Sequence, residues 1–245
     1  MHKHDLKVTV ITPVLNGEET IAECLESVRS QSYGNVEHLV IDGCSNDSTL
    51  DIVREYSVSY RSEKDTGIYD AFNRGVRYAT GDIIHILNAD DFYASPNSIQ
   101  TMVAFMTANN LDIGHGLVEQ FSSDREKTIK VGKDIKKPEL LRKMRVAHPA
   151  TFVRKSVYEN HGRFSEGFKI AADQEFLLRV WDKVEIGFIP EVIVKMRIGG
   201  ISTTQFLNSY KESMAASILH GQAPTKAYLI YCYEIIKNSF LKLYR

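Results

Sequence analysis

The amino-acid sequence predicts an α/β fold: a mostly parallel central sheet covered by helices on both faces, with further helices at the C-terminal end. Two observations predict this class. Apolar runs rich in β-branched residues alternate with helical patterns through the first half of the chain, and repeated strand–helix–strand units form parallel sheets. The chain also has 245 residues, 43% of them hydrophobic, which is enough to bury one large core.

The first half of the chain shows this alternation directly. One helix has apolar residues at spacings of three and four, and a cluster of capping residues between positions 45 and 49 opens a second. Gly67 to Ala79 predicts a third helix, which ends at Thr80-Gly81. The predicted strands are Val8 to Thr12, Val36 to Ile41, Val58 to Arg61 and Ile83 to Asn88, and the apolar face of the first helix is Ile21, Cys24, Leu25 and Val28.

The second half of the chain changes character. After Gly199-Gly200 the pattern is helical to the end, so we expect a main domain over residues 1–204 and a helical extension over residues 205–245. The other predicted elements are a hairpin (Asp112 to Gln120 and Thr128 to Val131), a helix (Ala171 to Val180) and two separate strands (Glu185 to Ile189 and Val192 to Met196).

Composition and charge narrow the class of protein. The net charge is −1, so no overall field favours nucleic acid as a partner. Cys24, Cys44 and Cys232 are too scattered for a disulfide framework or a zinc site. The N-terminal residues lead into the first strand without a signal peptide, and no apolar run reaches membrane-spanning length. We therefore expect a cytoplasmic enzyme.

Two adjacent carboxylates are the most informative feature of the sequence. The apolar strand from Ile83 runs directly into Asp90 and Asp91, and ligands of open α/β sheets bind at the carboxyl ends of the strands. Neighbouring carboxylates repel each other unless a cation lies between them, so the pair predicts a divalent metal that holds phosphate. The alternative is that one of the two acids caps a helix.

Other acids follow neighbouring strands or open helices. Asp42, Asp65 and Asp173 occupy such positions, and the first two are expected to converge with Asp90 on one crevice. A carboxylate at position 42 can accept hydrogen bonds from a base or a ribose. The alternative for Asp42 is turn formation, because Asp-Gly is a common turn pair. The alternative for Asp173 is a helix N-terminal acid stabilised by the helix dipole.

Several segments, taken in order, resemble the glycosyltransferase family 2 enzymes, which have the GT-A fold and include many enzymes of bacterial polysaccharide synthesis. The resemblance runs from about Val8 to Gly200, and the order and spacing of the segments carry it. The segments are Val10 to Asn16, Asp42 to Thr49, Asp65 to Ala71, Asn73 to Gly75, Ala79 to Asp82, Leu87 to Asp91 and Asp173 to Glu175.

The resemblance implies that a sugar is transferred from a nucleotide-diphosphate sugar, expected to be a UDP-sugar, with inversion at the anomeric carbon. Pro13 and Asn16 would line the nucleotide pocket. Asp42 would bind the base, and Asp65 would flank it. The implied acceptor is a saccharide or a lipid-linked saccharide, and residues 1–204 would form the catalytic domain.

The resemblance also assigns the metal and the base. Asn88, Ala89 and Asp90 stand where the family has its Asp-x-Asp motif, and Asp90 with Asp91 would hold Mg²⁺ or Mn²⁺ on the donor diphosphate. Asn88 replaces a common aspartate, so it would hydrogen-bond a ribose hydroxyl without adding negative charge. Asp173 matches the acid that opens the catalytic helix and serves as general base.

Two further residues are candidates for contacts with the acceptor or the diphosphate. His148 lies one short unit before the catalytic helix, and the alternative is a structural hydrogen bond. Arg197 precedes the glycine-containing stretch Gly199 to Thr204, which would form a lid over the donor or else a plain loop. His85, inside a buried strand, is expected to belong to the core.

The tail from Lys226 to Arg245 combines apolar, aromatic and basic residues, with four basic residues against the single acid Glu234. This composition suits a membrane interface, with a lipid-linked acceptor by analogy, or packing on the domain or on a second subunit. Two other functions stay open: a nucleotide-sugar-binding partner subunit without catalysis, and a nucleotidyltransferase. The second is disfavoured because residues 13–20 contain one glycine and no basic residue to cradle phosphate.

Overall fold

The computed structural model of the protein describes residues 6–122, 128–199 and 204–243, with the side chains up to residue 238. In this part of the chain the strands form one sheet in the order β3-β2-β1-β4-β8-β6-β9-β5, and β7 pairs with β6 at the side. The strands are β1 (Val8–Val14), β2 (Val36–Asp42), β3 (Ser59–Ser62), β4 (Ile83–Ile86), β5 (Phe92–Tyr93), β6 (Ile113–Phe121), β7 (Thr128–Val131), β8 (Thr151–Arg154) and β9 (Ile186–Arg197).

Helices connect these strands and continue beyond them. A short 3₁₀ turn at His148–Ala150 precedes β8. The helices are α1 (Ile21–Arg29), α2 (Thr49–Glu55), α3 (Ile68–Tyr78), α4 (Ser98–Ala108), α5 (Lys137–Arg142), α6 (Lys155–His161), α7 (Ala172–Val180), α8 (Phe206–Leu219) and α9 (Pro224–Leu243).

The first half of the sheet is parallel, as the strand–helix alternation predicts. β1 runs parallel to β2 and to β4, and β2 runs parallel to β3. The register pairs Val14 with Asp42, so the carboxyl ends of β1 and β2 lie side by side. The loops after β1, β2 and β4 therefore meet at one edge of the sheet.

The second half of the sheet is mixed. β8 is antiparallel to β4 and β6, the predicted hairpin of β6 and β7 is present, and β9 is parallel to β6. The prediction of two strands around Pro190 is wrong, because β9 continues from Ile186 to Arg197. Pro190 donates no hydrogen bond to a neighbouring strand. The register between β6 and β9 shifts between His115 and Leu117, and this bulge accommodates the proline within β9.

The core occupies both faces of the sheet, which confirms the helix-covered architecture. On one face α3, α5, α6 and α7 pack on the sheet, and on the other α1 and α4 do so. All four apolar residues predicted for the face of α1 are buried. Gly75 of α3 lies so close to β1 that an added Cβ would meet Ile11 Cγ2 at 2.3 Å, which explains the glycine at this position.

The C-terminal helices pack on the rest of the protein. Ala216 of α8 and Ala227 of α9 are buried, and the Ser217 hydroxyl donates a hydrogen bond to the Leu141 carbonyl at 2.7 Å. The predicted helical segment is interrupted between Leu219 and Pro224. Among the described residues, no helix combines the length and the apolar character that a membrane crossing requires.

Candidate active site

Two loops at the parallel edge of the sheet are fastened to each other. The Asn16 amide oxygen accepts a hydrogen bond from the Asn46 N–H at 2.9 Å, and the Asn16 N–H donates to the Ser45 hydroxyl at 2.8 Å. The Ser48 N–H donates to the Glu18 carboxylate at 2.8 Å. Asn16 adopts φ 52, the left-handed conformation that asparagine tolerates. Asn16 thus shapes the crevice, and Pro13 is buried behind it in β1.

Asp42 is turned into its own loop. Its side chain is 0% exposed, and its carboxylate accepts hydrogen bonds from the Cys44 and Ser45 N–H groups and from the Ser45 and Ser62 hydroxyls. A carboxylate with these donors has no exposed edge for a nucleotide base. The geometry therefore favours the alternative in which Asp42 forms the turn.

Asp65 lies directly against that turn. A Cβ added to Gly43 would meet Asp65 Oδ2 at 2.6 Å and Leu15 Cδ1 at 3.5 Å. Asp65 Oδ1 accepts a hydrogen bond from the Gly67 N–H at 3.0 Å. Since the Leu15 side chain is 57% exposed, an apolar surface and a carboxylate oxygen lie side by side at the crevice.

The segment after β4 forms a turn in which Asp91 faces inward. Asp91 is 1% exposed, and its carboxylate accepts hydrogen bonds from the Asn88 side-chain amide and from the Arg197 N–H, both at 3.3 Å. Asn88 Oδ1 is buried and has no hydrogen-bond partner within the described residues. Ala89 is buried at the tip of the turn, and Asp90 is half-buried. Asp90 is thus the more accessible of the two acids.

The electrostatics of this turn fit a cation. Burial raises the pKa of Asp90 above its ordinary value, although the positive charge of Arg197 partly opposes this effect. Burial, and then the charge of Asp90, raise the pKa of Asp91 well above its ordinary value. Two carboxylates that resist ionisation, next to an unpartnered amide oxygen, suit a divalent ion. Within the described residues no group of three or more acidic, histidine or cysteine side chains could hold a metal, so further ligands would come from phosphate and water.

Arg197 ends β9 beside this turn. Its guanidinium lies 5.1 Å from the centroid of the Phe121 ring, and its Nη2 lies 3.4 Å from Glu23 Oε2. The buried Nε has no hydrogen-bond partner within the described residues. Residues 200–203 of the predicted lid lie outside the described residues. Arg197 therefore brings a cation with an unused N–H to the carboxylates.

Asp173 is the second residue of α7 and is half-buried. Its Oδ1 accepts hydrogen bonds from the Gln174 N–H at 2.8 Å and from the Tyr69 hydroxyl at 3.4 Å. Burial raises the pKa of Asp173, and the nearby His148 opposes this effect. A carboxylate with a raised pKa holds a proton more strongly and is a better base when it is ionised.

His148 is close enough to Asp173 for the charge of each to shift the pKa of the other. Burial lowers the pKa of His148, and Asp173 opposes this effect. The imidazole stacks on the Phe72 ring at a centroid distance of 5.6 Å. His85, as predicted, belongs to the core: it is fully buried, and its ring lies 2.8 Å from the Pro149 carbonyl oxygen. His85 thus supports the turn that presents His148.

Glu212 of α8 is a residue that the sequence analysis missed. Its carboxylate accepts hydrogen bonds from the N–H groups of Lys169, Ile170 and Ala171 at 2.7 to 3.0 Å. These residues lead directly into the helix that carries Asp173. No motif surrounds Glu212 in the sequence, so only the folded chain reveals that the extension reaches the site.

A cavity of about 400 Å³ opens between α5, α7, α8 and α9, and Asp173 lies in its wall. The lining is mixed: apolar and aromatic side chains alternate with hydroxyls, amides and the ion pair of Lys143 with Glu234. About half of it comes from the C-terminal helices. The lining residues of those helices are Ser209, Tyr210, Ser213, Met214, Ser217, Ala227, Ile230, Tyr231 and Glu234.

Known proteins are similar to this chain in sequence. The model of the family described as Glycosyl transferase family 2 matches residues 9–162. A PGL/p-HBAD biosynthesis glycosyltransferase of Mycobacterium tuberculosis is 28% identical over 206 residues, which are 80% of this chain and 79% of that protein. An uncharacterized glycosyltransferase of the same species is 35% identical over 187 residues, which are 70% of this chain and 68% of that protein.

Solved structures share the fold at low identity. A structure of S. aureus TarS, residues 1–349, in complex with UDP-GlcNAc matches with a TM-score of 0.68 at 19% identity, over 92% of this chain and 70% of that chain. The mannosyltransferase PcManGT from Pyrobaculum calidifontis, in complex with GDP-Man and Mn²⁺, matches with a TM-score of 0.67 at 18% identity, over 95% of this chain and 70% of that chain.

Proposed function

Since the chain belongs to glycosyl transferase family 2 and is a glycosyltransferase with the predicted GT-A fold, we propose that it moves a sugar from a UDP-sugar to a saccharide hydroxyl with inversion. The observation that carries this proposal is Asp173, a half-buried acid with a raised pKa in the wall of a cavity large enough for a sugar. The UDP-GlcNAc complex of TarS supports the choice of uridine.

The donor base would bind where Leu15, Gly43 and Asp65 meet. The exposed Leu15 side chain offers an apolar surface to the ring, and Asp65 Oδ2 would accept the ring N–H of uracil. Asp42 holds the loop beneath them and does not itself touch the base.

The donor diphosphate would bind beside Asp90, which would hold Mg²⁺ or Mn²⁺ with help from Asn88 Oδ1. When bound, such an ion neutralises charge on the diphosphate as the sugar–phosphate bond breaks. The Mn²⁺ in the PcManGT complex supports this assignment. Asp91 would orient the turn, and the Arg197 guanidinium would contact a phosphate oxygen.

Asp173 would act as general base. It would take the proton of the acceptor hydroxyl as that oxygen bonds to the anomeric carbon, and the bond from that carbon to the phosphate oxygen would break, releasing the nucleoside diphosphate. Attack on the face opposite the leaving group inverts the anomeric centre. His148 would hydrogen-bond the acceptor, since it lies beside Asp173. The acceptor itself, a saccharide or a lipid-linked saccharide, would occupy the cavity behind Asp173.

Asp173→Asn tests the assignment because it removes the base without changing the shape of the side chain. We expect transfer to fall roughly a hundred- to ten-thousandfold, while the thermal shift caused by a UDP-sugar with Mn²⁺ stays within error. Asp182→Asn, at an exposed position beyond the far end of α7, is the control. An equal loss of donor binding and transfer would contradict the role of Asp173 as base.

A further inference from the structure

Helix α9 has two contrasting faces. Ala227 and Glu234 face the protein, with 2% and 7% exposure, and Glu234 pairs with Lys143 at 2.7 Å. On the other side Leu229 and Ile236 are 68% and 56% exposed. These large apolar groups are not needed to hold α9 in place, because the opposite face already does so.

The exposed apolar side chains form one stripe. Leu229, Tyr233 and Ile236 are 68%, 51% and 56% exposed and lie at positions i, i+4 and i+7 of the helix. This spacing places them along one face over two turns, about 10 Å. Tyr228, 58% exposed, lies beside the stripe. The stripe is therefore a continuous apolar ridge.

The charges around the stripe have one sign. Lys226 precedes Leu229 by three residues and Lys237 follows Tyr233 by four, so both lysines border the same edge of the stripe, and both are exposed. Glu234 is the single acid of the helix sequence, and it is turned inward onto Lys143. An occupant of this face thus meets apolar groups and positive charge together.

We propose that this face of α9 docks on an anionic lipid bilayer. Apolar side chains enter the interface, tyrosine rings lie at the headgroup level, and lysines reach anionic headgroups. A second copy of the chain is the less suitable occupant, because a two-fold interface through this face brings each copy's lysines to the same patch. Docking places α9 on the bilayer surface, since over its described residues the helix lacks the apolar character that a membrane crossing requires.

The docked helix also lines the acceptor cavity. Ile230, Tyr231 and Glu234 of α9 belong to the cavity wall that contains Asp173, and one helix is only about 10 Å thick. On the premise of the proposed transferase function, the acceptor is therefore an amphiphile, a saccharide whose lipid stays in the bilayer while its hydroxyl reaches Asp173.

Flotation of the full chain with vesicles tests the proposal. We expect binding to phosphatidylcholine vesicles that contain phosphatidylglycerol, and weaker binding to phosphatidylcholine alone. The triple variant Leu229→Ser, Tyr233→Ser, Ile236→Ser is expected to lose binding about tenfold or more. Ile129→Ser, which removes an equally exposed apolar group from β7, is the control and should bind normally. Lys226→Glu is expected to weaken binding roughly fivefold or more on anionic vesicles.

Each other outcome is decisive. No vesicle binding by the wild type, or full binding by the triple variant, overturns the proposal. If the wild type forms a dimer and does not bind vesicles, and the triple substitution dissociates that dimer, the face is assigned to a second copy instead. A UDP-sugar thermal shift without vesicle binding removes only the membrane proposal, whereas vesicle binding without a donor shift removes the proposed donor chemistry. Unchanged melting of all variants without ligand confirms that folding is intact.

Discussion

Single residues at the site differ mainly in where their carboxylates point. Asp42 and Asp91 are buried and satisfied by neighbouring donors, whereas Asp65 and Asp90 are half-buried beside the crevice. Both kinds follow strands of the same sheet edge and look alike in the sequence. The buried acids fix loops, whereas the half-buried acids are the ones that we propose contact a ligand.

This difference predicts opposite results for two matched substitutions. Asp42→Asn replaces one of the two acceptor oxygens with an N–H₂ group that faces two or three of the four donors, so we expect the free energy of unfolding to fall by about 2 kcal/mol or more. Asp65→Asn should leave stability within about 0.5 kcal/mol but weaken UDP binding. Urea unfolding measures the stability of both variants, and UDP titration measures their affinity for the nucleotide. An Asp42→Asn variant that is as stable as the wild type but binds UDP poorly would instead favour direct contact between Asp42 and the base.

The raised pKa of Asp90 predicts how Mn²⁺ binding depends on pH. The carboxyl group must lose its proton to bind a cation, and a raised pKa moves protonation to higher pH than for an ordinary aspartate. We therefore expect the thermal shift from Mn²⁺ with UDP to be present at pH 7 and to shrink on acidification at a higher pH than the protonation of an ordinary aspartate would cause.

The control for this titration is Asp51→Asn, an exposed acid paired with Arg54 on α2. It should show the same dependence of the shift on pH as the wild type, whereas Asp90→Asn should lose the shift at every pH. A Mn²⁺ shift in Asp90→Asn equal to that of the wild type would place the metal elsewhere.

Whole elements meet at the site through contacts that cross the chain. Helix α8 supplies Glu212, which holds residues 169–171 ahead of Asp173. We expect Glu212→Gln, which keeps some acceptor capacity, to lower kcat roughly tenfold with little change in the KM for the donor. Glu212→Asp should restore part of the loss. Steady-state kinetics of these variants test this positioning role. Lys211→Ala, at the exposed neighbouring position, is the control, and an equal loss of kcat in that variant would contradict the role of Glu212.

The elements also show how far sequence reasoning extends. The buried face of α1 and the parallel strands follow from local periodicity, and these predictions are confirmed. The convergence of the strand-end acids on one crevice stays a prediction. The continuous β9 could not be predicted, because the bulge of β9 opposite Gly116, which carries the strand past Pro190, depends on a partner strand distant in sequence. The inward turn of Asp42 depends in the same way on Ser62. Local patterns identify the acids, and tertiary contacts decide their roles.

At the scale of the whole molecule, the boundary predicted at residue 204 separates parts that are packed together. Ala216 of α8 belongs to the same buried cluster as Phe176 and Leu177 of α7. We expect a chain that ends at residue 204 to melt at least about 2 °C below the full chain, or to aggregate, since burial lost at this contact costs more than about 1 kcal/mol. Calorimetry of the two chains checks this, and equal melting temperatures would establish residues 205–245 as an independent appendage.

The hydrogen bond from the Arg197 N–H to Asp91 has a consequence for synthesis on the ribosome. It joins residues 106 positions apart, whereas the parallel strands that carry the proposed donor-binding loops are complete by residue 86. N-terminal parts of a chain emerge and begin to fold first. A nascent chain can therefore assemble the proposed base pocket early, but the turn of Asp90 is braced only after β9 emerges, when the C-terminal helices that supply about half of the cavity lining are still to be made.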